Sequence, residues 1–206
     1  NTYSKGGNAP AASNSKQMTL FEIVSPIAAS GVIDESGKTI AVQVPFGTDL
    51  SALTVKFVTT GVKTSISGVE QSSSITSVNF LNPVAYTVTA EDGSTAAYIV
   101  TVTAAKSSAK EITKFEIDGQ ISSVINGTGI AVTMPYGTDL TSLTPAVAHT
   151  GASISPASGS VQNFTAAVTY TVTAADGSKN EYTVTVTAAK NSACDITKFT
   201  ILGIDG

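Results

Sequence analysis

An internal repeat is the feature that most restricts how this chain can fold. Residues 86–94 (YTVTAEDGS) return 84 positions later as residues 170–178 (YTVTAADGS). Residues 45–50 (PFGTDL) return 90 positions later as residues 135–140 (PYGTDL). Because the matching segments keep their order, the chain contains two copies of one structural unit. The change in offset assigns the extra residues of the first copy to loops, which tolerate added length.

The beginning of a third copy follows the second. Residues 112–115 (ITKF) return as residues 196–199, and Ile201 has the position of Ile117. The sequence therefore contains three opening strands but only two complete bodies. We expect Ile196, Phe199 and Ile201 to form an assembly element: they either open a third repeat or are donated as a β-strand to another chain.

Regular alternation of apolar residues with threonine predicts β-strands in both copies. Such alternation is typical of antiparallel sheets that have one buried and one solvated face. Threonine suits the solvated face because its branched Cβ favours extended backbone. We expect the threonines Thr87, Thr171 and Thr185 to be largely exposed and the following side chains to be buried: Tyr86, Val88, Tyr170, Val172, Val184 and Val186.

Turn residues separate the predicted strands. An Asp-Gly pair lies between the last two strands of each copy, where a tight hairpin requires positive φ. Pro45 and Pro135 each end a strand, and the Gly-Thr-Asp that follows turns the chain. We expect residues 25–38 to form a loop and further strands near residues 38–44, 53–58, 65–67, 129–134, 143–149 and 153–155.

These patterns predict an all-β chain of two tandem immunoglobulin-like antiparallel β-sandwiches, plus a partial third opening strand. The expected divisions are a polar N-terminal tail (1–16), repeat 1 (17–105), repeat 2 (106–190), and a linker with the third opening or donor strand (191–206). The openers, the middle motif (VPFGTDL, MPYGTDL) and the closing motif (YTVTAxDGS) resemble tandem immunoglobulin-like or cadherin-like repeats of bacterial surface lipoproteins. The resemblance implies an extracellular, cell-surface array, and those families bring no catalytic motif.

Composition excludes some classes of partner. The net charge is −4, and all 11 cationic residues are lysines that form no basic cluster, so we expect no nucleic-acid binding. No apolar stretch reaches the roughly 18–20 residues of a membrane-spanning helix. The first residue is Asn1, which is compatible with removal of a signal peptide or with a cloned fragment. Cys194 is the only cysteine and cannot form a disulfide within the chain.

No combination of residues predicts catalysis. A nucleophile needs a base beside it, and the only histidine, His149, corresponds to Thr59 in the first copy. We expect His149 to be structural or solvated. Cys194 corresponds to Lys110, and we expect a thiol without a catalytic role. The predicted class is therefore not an enzyme.

Calcium is the most plausible ion for an array of this kind, because cadherin-like repeats place carboxylates at domain junctions. The alternative is that the aspartates of Asp-Gly and Gly-Thr-Asp segments close turns through their own backbone. The sequence favours the alternative, since no segment has dense Asp-x-Asp spacing, and we expect no cofactor. The candidates are Asp49, Asp139, Asp92 and Asp176, together with Glu111 and Asp195.

Three functions remain open. The first is a non-enzymatic structural or adhesion module of a bacterial surface protein, with neighbouring repeats, host or matrix proteins, or glycans as partners. The second is a filament subunit that polymerises with other copies of itself by donating residues 196–206. The third is a carbohydrate-binding module, in which Phe46 and Tyr136 stack on sugars; the alternative for these aromatic rings is that they plug the end of the sandwich.

Overall fold

The computed structural model describes residues 11–192, and all regular structure in that range is β-strand. The all-β class predicted from sequence is confirmed, and the sheets curl around their cores in a β-sandwich type of fold. Two compact units divide between Lys106 and Ser107. We call them the first and the second domain.

The first domain contains nine strands in one curled sheet of order β6-β5-β8-β9-β3-β2-β1-β4-β7. The opening strand β1 pairs with both β2 and β4 and so joins the two halves of the sandwich. The strands are β1 (Met18–Ser25), β2 (Ala29–Asp34), β3 (Thr39–Val44), β4 (Leu53–Thr59), β5 (Lys63–Ile66), β6 (Val69–Glu70), β7 (Ser77–Val78), β8 (Val84–Thr89) and β9 (Thr95–Ala104).

The second domain contains seven strands in two sheets, β10-β13 and β11-β12-β16-β15-β14. Its opening strand β10 pairs with β13 but not with β11. The side-chain oxygen of Gln120 instead accepts the backbone N–H of Ile117 at 2.8 Å. The strands are β10 (Ile112–Ile117), β11 (Ser122–Asn126), β12 (Gly129–Met134), β13 (Pro145–His149), β14 (Ser153–Ser155), β15 (Val168–Thr173) and β16 (Lys179–Ala188).

One pairing in each domain corrects the prediction of purely antiparallel sheets. Strand β9 runs parallel to β3, and β16 runs parallel to β12. The reason is that the last hairpin brings β9 back beside β8, and the strand on its other edge, β3, points in the same direction. Alternation of residue types shows which face of a strand is buried but not the direction of its neighbour.

Strand β2 also corrects the prediction, because residues 25–38 were expected to be a loop, and its counterpart β11 lies where no strand was predicted. Both strands lack fully buried side chains, and Val32 and Val124 are exposed. A strand without a buried face gives only weak alternation in its sequence. Each is nevertheless held by a continuous antiparallel ladder to the next strand.

Aromatic residues form the centre of each core with the same geometry. The ring centroids of Phe21 and Tyr86 lie 5.3 Å apart, edge to face, and those of Phe115 and Tyr170 also lie 5.3 Å apart. Such edge-to-face pairs are favourable beyond the area they bury. The six predicted core residues are all buried: Tyr86, Val88, Tyr170, Val172, Val184 and Val186.

The threonines on the opposite face follow the prediction only in part. Thr185 is exposed, but Thr87 and Thr171 are half-buried. Thr185 has a cross-strand partner on one side only, Ala131, whereas Thr87 and Thr171 each have a partner on both sides. The side chains of adjacent strands therefore cover part of their surface.

Candidate functional site

The turn after the third strand of each domain has a fixed backbone that both copies share. Gly47 and Gly137 both have φ of 79°, a conformation that favours glycine. Thr48 donates to the carbonyl oxygen of Pro45 from its backbone N–H at 3.3 Å and from its hydroxyl at 2.8 Å. The second domain repeats both distances between Thr138 and Pro135. We call residues 45–51 and 135–141 the aromatic turns.

An aspartate closes each aromatic turn. The Oδ1 atom of Asp49 accepts the backbone N–H of Ser51 at 2.9 Å. The Oδ1 atom of Asp139 accepts the N–H of Thr141 at 2.9 Å and its hydroxyl at 2.7 Å. The backbone bond holds the pKa of each carboxyl below its ordinary value, with help from the hydroxyl. Both carboxylates are ionised at neutral pH.

Each aromatic turn presents one aromatic ring to solvent. Phe46 is 67% exposed and Tyr136 is 65% exposed, whereas the other aromatic residues within 11–192 are buried or half-buried. The expectation that these rings plug the sandwich is therefore wrong. Leu50 and Leu140, four residues further on, pack against the cores instead.

The two calcium candidates of the Asp-Gly segments also close turns. Asp92 Oδ1 accepts the N–H and the hydroxyl of Ser94 at 2.9 and 2.6 Å, and Asp176 binds Ser178 in the same way at 2.8 and 2.7 Å. The serine hydroxyl contributes most to lowering the pKa of each aspartate. Glu111 accepts the hydroxyl of Thr150. Across the described range, no three His, Cys, Asp or Glu side chains group together as metal ligands.

A charged network that the sequence did not predict lies in the first domain. Lys38 pairs with Glu35, and the hydroxyl of Tyr98 donates to Glu35 at 2.6 Å. The Nζ atom of Lys38 also lies 5.0 Å from the centre of the Tyr98 ring. Hydrogen bonds from Lys38 first, and then from Tyr98, lower the pKa of Glu35. The network fastens the β2–β3 turn to β9, so it is structural.

A shallow depression of about 420 Å³ lies on the outer face of the second domain. In the β12–β16 ladder Gly129 is paired with Thr183, whereas the equivalent positions of the first domain hold the larger pair Thr39 and Ile99. The small side chains open the depression. It is lined by Val124, Asn126, Gly129, Ile130, Ala131, Thr183 and Thr185.

The remaining candidates from the sequence fall in two places. His149 is half-buried at the end of β13, opposite Ile112. Cys194, Asp195 and the assembly residues Ile196, Phe199 and Ile201 lie outside the described residues. Their roles stay predictions. Within residues 11–192 there is no helix long and apolar enough to cross a membrane.

Comparison with known families shows to which protein family this chain belongs. A model of the family described as "SGBP, N-terminal" matches residues 18–102 and 112–186. This chain belongs to that family. SGBP proteins are glycan-binding proteins of the Bacteroides cell surface. The two SGBP segments begin at Met18 and Ile112, which are the first residues of β1 and β10.

Two solved structures give matches of limited extent. A protein described provisionally as a glycoside hydrolase from Bacteroides thetaiotaomicron is 34% identical over 43% of this chain, with a TM-score of 0.38. A DUF4623 family protein from Bacteroides eggerthii is 13% identical over 65% of this chain, with a TM-score of 0.35. The matched regions span 27% and 34% of those two proteins. The comparison with curated proteins gave no match.

Proposed function

We propose that this chain is a non-enzymatic structural module of a glycan-binding protein on the surface of a Bacteroides-type bacterium. The observation that carries the proposal is the family match, which covers each domain from its opening strand almost to the end of its closing strand. In this role the two domains position glycan-binding surfaces outside the cell.

The chemistry of the described side chains supports a structural role. The carboxylates of Asp49, Asp92, Asp139 and Asp176 are each engaged by a backbone N–H two residues ahead. A general acid that protonates a leaving group near neutral pH would instead have a raised pKa. The pKa values of these aspartates are shifted the other way, below 3.8. Their carboxylates stabilise turns by accepting these backbone hydrogen bonds.

Incubation with polysaccharides tests the proposal. We expect the purified chain to release no reducing ends from soluble starch, arabinoxylan, galactomannan or mixed-linkage β-glucan during a day at 37 °C. A glycoside hydrolase of known activity serves as the positive control on each substrate. Release of reducing ends above the buffer level, abolished by boiling the chain, would overturn the non-enzymatic role.

A second candidate is a filament subunit that donates residues 196–206 to another chain. One observation favours it. In β10, the residues equivalent to Ile196, Phe199 and Ile201 are all buried: Ile112, Phe115 and Ile117. A strand with that pattern has three apolar side chains and a backbone edge to cover. A neighbouring copy or a following repeat supplies the cover, and deletion of the segment, described in the Discussion, separates the two.

A further inference from the structure

We propose that the two aromatic turns are sugar-binding sites, in which Phe46 and Tyr136 stack on the apolar face of a neutral hexose or pentose unit of a polysaccharide. This inference rests on the proposed function, because it assigns the glycan contact to particular residues of the chain. It gives the chain two sites, one in each domain. Each site consists of an aromatic ring, a fixed turn and a carboxylate.

The exposure of the two rings is the first argument. Exposure of a large apolar ring to water is unfavourable in free energy, and a ligand that covers the ring removes this cost. Phe46 and Tyr136 occupy equivalent positions and are exposed to almost the same extent, 67% and 65%. The first domain buries two other phenylalanines, Phe21 and Phe80, in its core. The fold can therefore bury aromatic rings, and it leaves Phe46 outside the core.

The rigidity of the turn is the second argument. The backbone beside each ring is held by two hydrogen bonds from a threonine and at least one to an aspartate. A side chain on such a turn loses little freedom when a ligand binds, which favours affinity. Nothing lies within 4 Å of the Cβ positions at Gly47 and Gly137. The backbone of each turn is therefore uncovered at the glycine that follows the ring.

The carboxylates define the class of sugar. Only Oδ1 of Asp49 and Oδ1 of Asp139 accept the hydrogen bonds of the turn, and both side chains are exposed. Their other oxygens are acceptors for sugar hydroxyls. Because both groups are ionised three residues from a ring, they repel uronates and sulfated sugars. The sites therefore select neutral polysaccharides.

Affinity electrophoresis in gels that contain one polysaccharide each tests the inference on the full chain. The probes are soluble starch, arabinoxylan, galactomannan and mixed-linkage β-glucan, with polygalacturonate as the anionic probe. We expect at least one neutral polymer to retard the chain and polygalacturonate to have no effect. Phe46→Ala and Tyr136→Ala should each weaken retardation by about tenfold in apparent affinity, and the double variant should abolish it.

Three control variants make the result specific. Phe46→Tyr and Tyr136→Phe keep a ring at each site and should bind like the wild type. Leu81→Ala removes an apolar side chain that is 63% exposed on another loop of the first domain, and it should also bind like the wild type. Unchanged thermal unfolding of all six variants shows that the fold is retained, as expected for exposed positions.

The outcomes separate this inference from the proposed function. Retardation that persists in the folded double variant, or that Leu81→Ala abolishes equally, overturns the aromatic sites and leaves a glycan-binding module that uses another surface. No retardation of the wild type by any neutral polymer also overturns the sites but leaves the non-enzymatic structural role intact. Only release of sugars from the polymers would contradict that role.

Discussion

The hydroxyl of Tyr98 accepts a hydrogen bond from the backbone N–H of Met18 at 3.0 Å. The last strand of the first domain thereby holds the first residue of the opening strand. The second domain repeats the bond between Tyr182 and Ile112 at 3.2 Å. All four residues are buried, so these N–H groups would otherwise lack a partner away from water.

Replacement of the four core tyrosines by phenylalanine should therefore have two different results. Tyr98→Phe and Tyr182→Phe each leave a buried N–H unpaired and should lower the free energy of unfolding by about 1–3 kcal/mol. Tyr86→Phe and Tyr170→Phe are the matched controls, since their buried hydroxyls make no hydrogen bond among the described residues. These two should be neutral or slightly stabilising. Urea denaturation measures all four, and an equal loss from Tyr170→Phe and Tyr182→Phe would contradict the assignment.

The phase of strand β15 gives a second pair of variants. Val172 is fully buried, and Val172→Ala should cost on the order of 1–3 kcal/mol through lost transfer energy and a cavity. Thr171 lies on the opposite face and is half-buried, so Thr171→Ala should change stability by less than about 1 kcal/mol. The ranking is measured by chemical denaturation, and a reversed order would be inconsistent with the strand phase described above.

The sequence predicts the elements that alternation and turn residues encode. Strand β12 and strand β14 were predicted with the boundaries that the structure has. Strand β2 was missed because its half-buried side chains leave no clear apolar face. The parallel pairing of β9 with β3 could not be predicted, since the relative direction of two paired strands depends on which strands are neighbours in space. Periodicity carries no information on that.

The candidate site was predictable in its residues but not in its exposure. The matched positions of Phe46 and Tyr136 follow from the repeat, and the turn follows from Gly-Thr-Asp. Whether the ring points into the core depends on which other side chain fills that space. Leu50 does so in the first domain. The network of Glu35, Lys38 and Tyr98 joins residues about 60 positions apart, and no local pattern reports it.

A turn that differs between the domains provides a test of backbone strain. Ser74 has φ of 65°, and Gly159 has φ of 79° at the equivalent turn, where each N–H bonds to the strand β4 or β13. Gly159→Ala should cost about 1 kcal/mol, because alanine is strained there although its Cβ meets nothing within 4 Å. Ser74→Gly should gain up to about 1 kcal/mol. Thermal unfolding monitored by calorimetry measures both, and a loss in Ser74→Gly would exclude strain at that residue.

Acid should destabilise both domains. Hydrogen bonds in the folded state lower the pKa of Asp92, Asp176 and Glu35 below 3.8, 3.8 and 4.5. A lowered pKa adds stability above the unfolded value, and this stability is lost as the pH falls through the folded value. The melting temperature should therefore be nearly constant from pH 7 to about 5 and fall below about pH 4. Asp92→Asn and Asp176→Asn should reduce that fall, and a flat profile to pH 2 would contradict the role of these turns.

Deletion of residues 195–206 tests strand donation. The variant is made in a Cys194→Ser chain so that disulfide-linked dimers are absent from both samples. If the segment pairs with a neighbouring copy, oligomers seen by sedimentation velocity and negative-stain microscopy should disappear in the deletion and in Phe199→Ala. Thr200→Ala, at the position equivalent to the exposed Glu116, is the matched control. Oligomers that survive the deletion would rule out donation.

The parallel ladder between β3 and β9 determines how a domain responds to mechanical force. Its paired residues run from Thr39 and Ile99 to Val44 and Ala104. Tension on the chain beyond Ala104 pulls β9 along its own axis, and so it loads all the hydrogen bonds of the ladder at once in shear. An antiparallel hairpin pulled at its open end would instead break one bond after another. Strands β12 and β16 give the second domain the same geometry, so tension on the chain beyond Ala188 loads its ladder in shear as well.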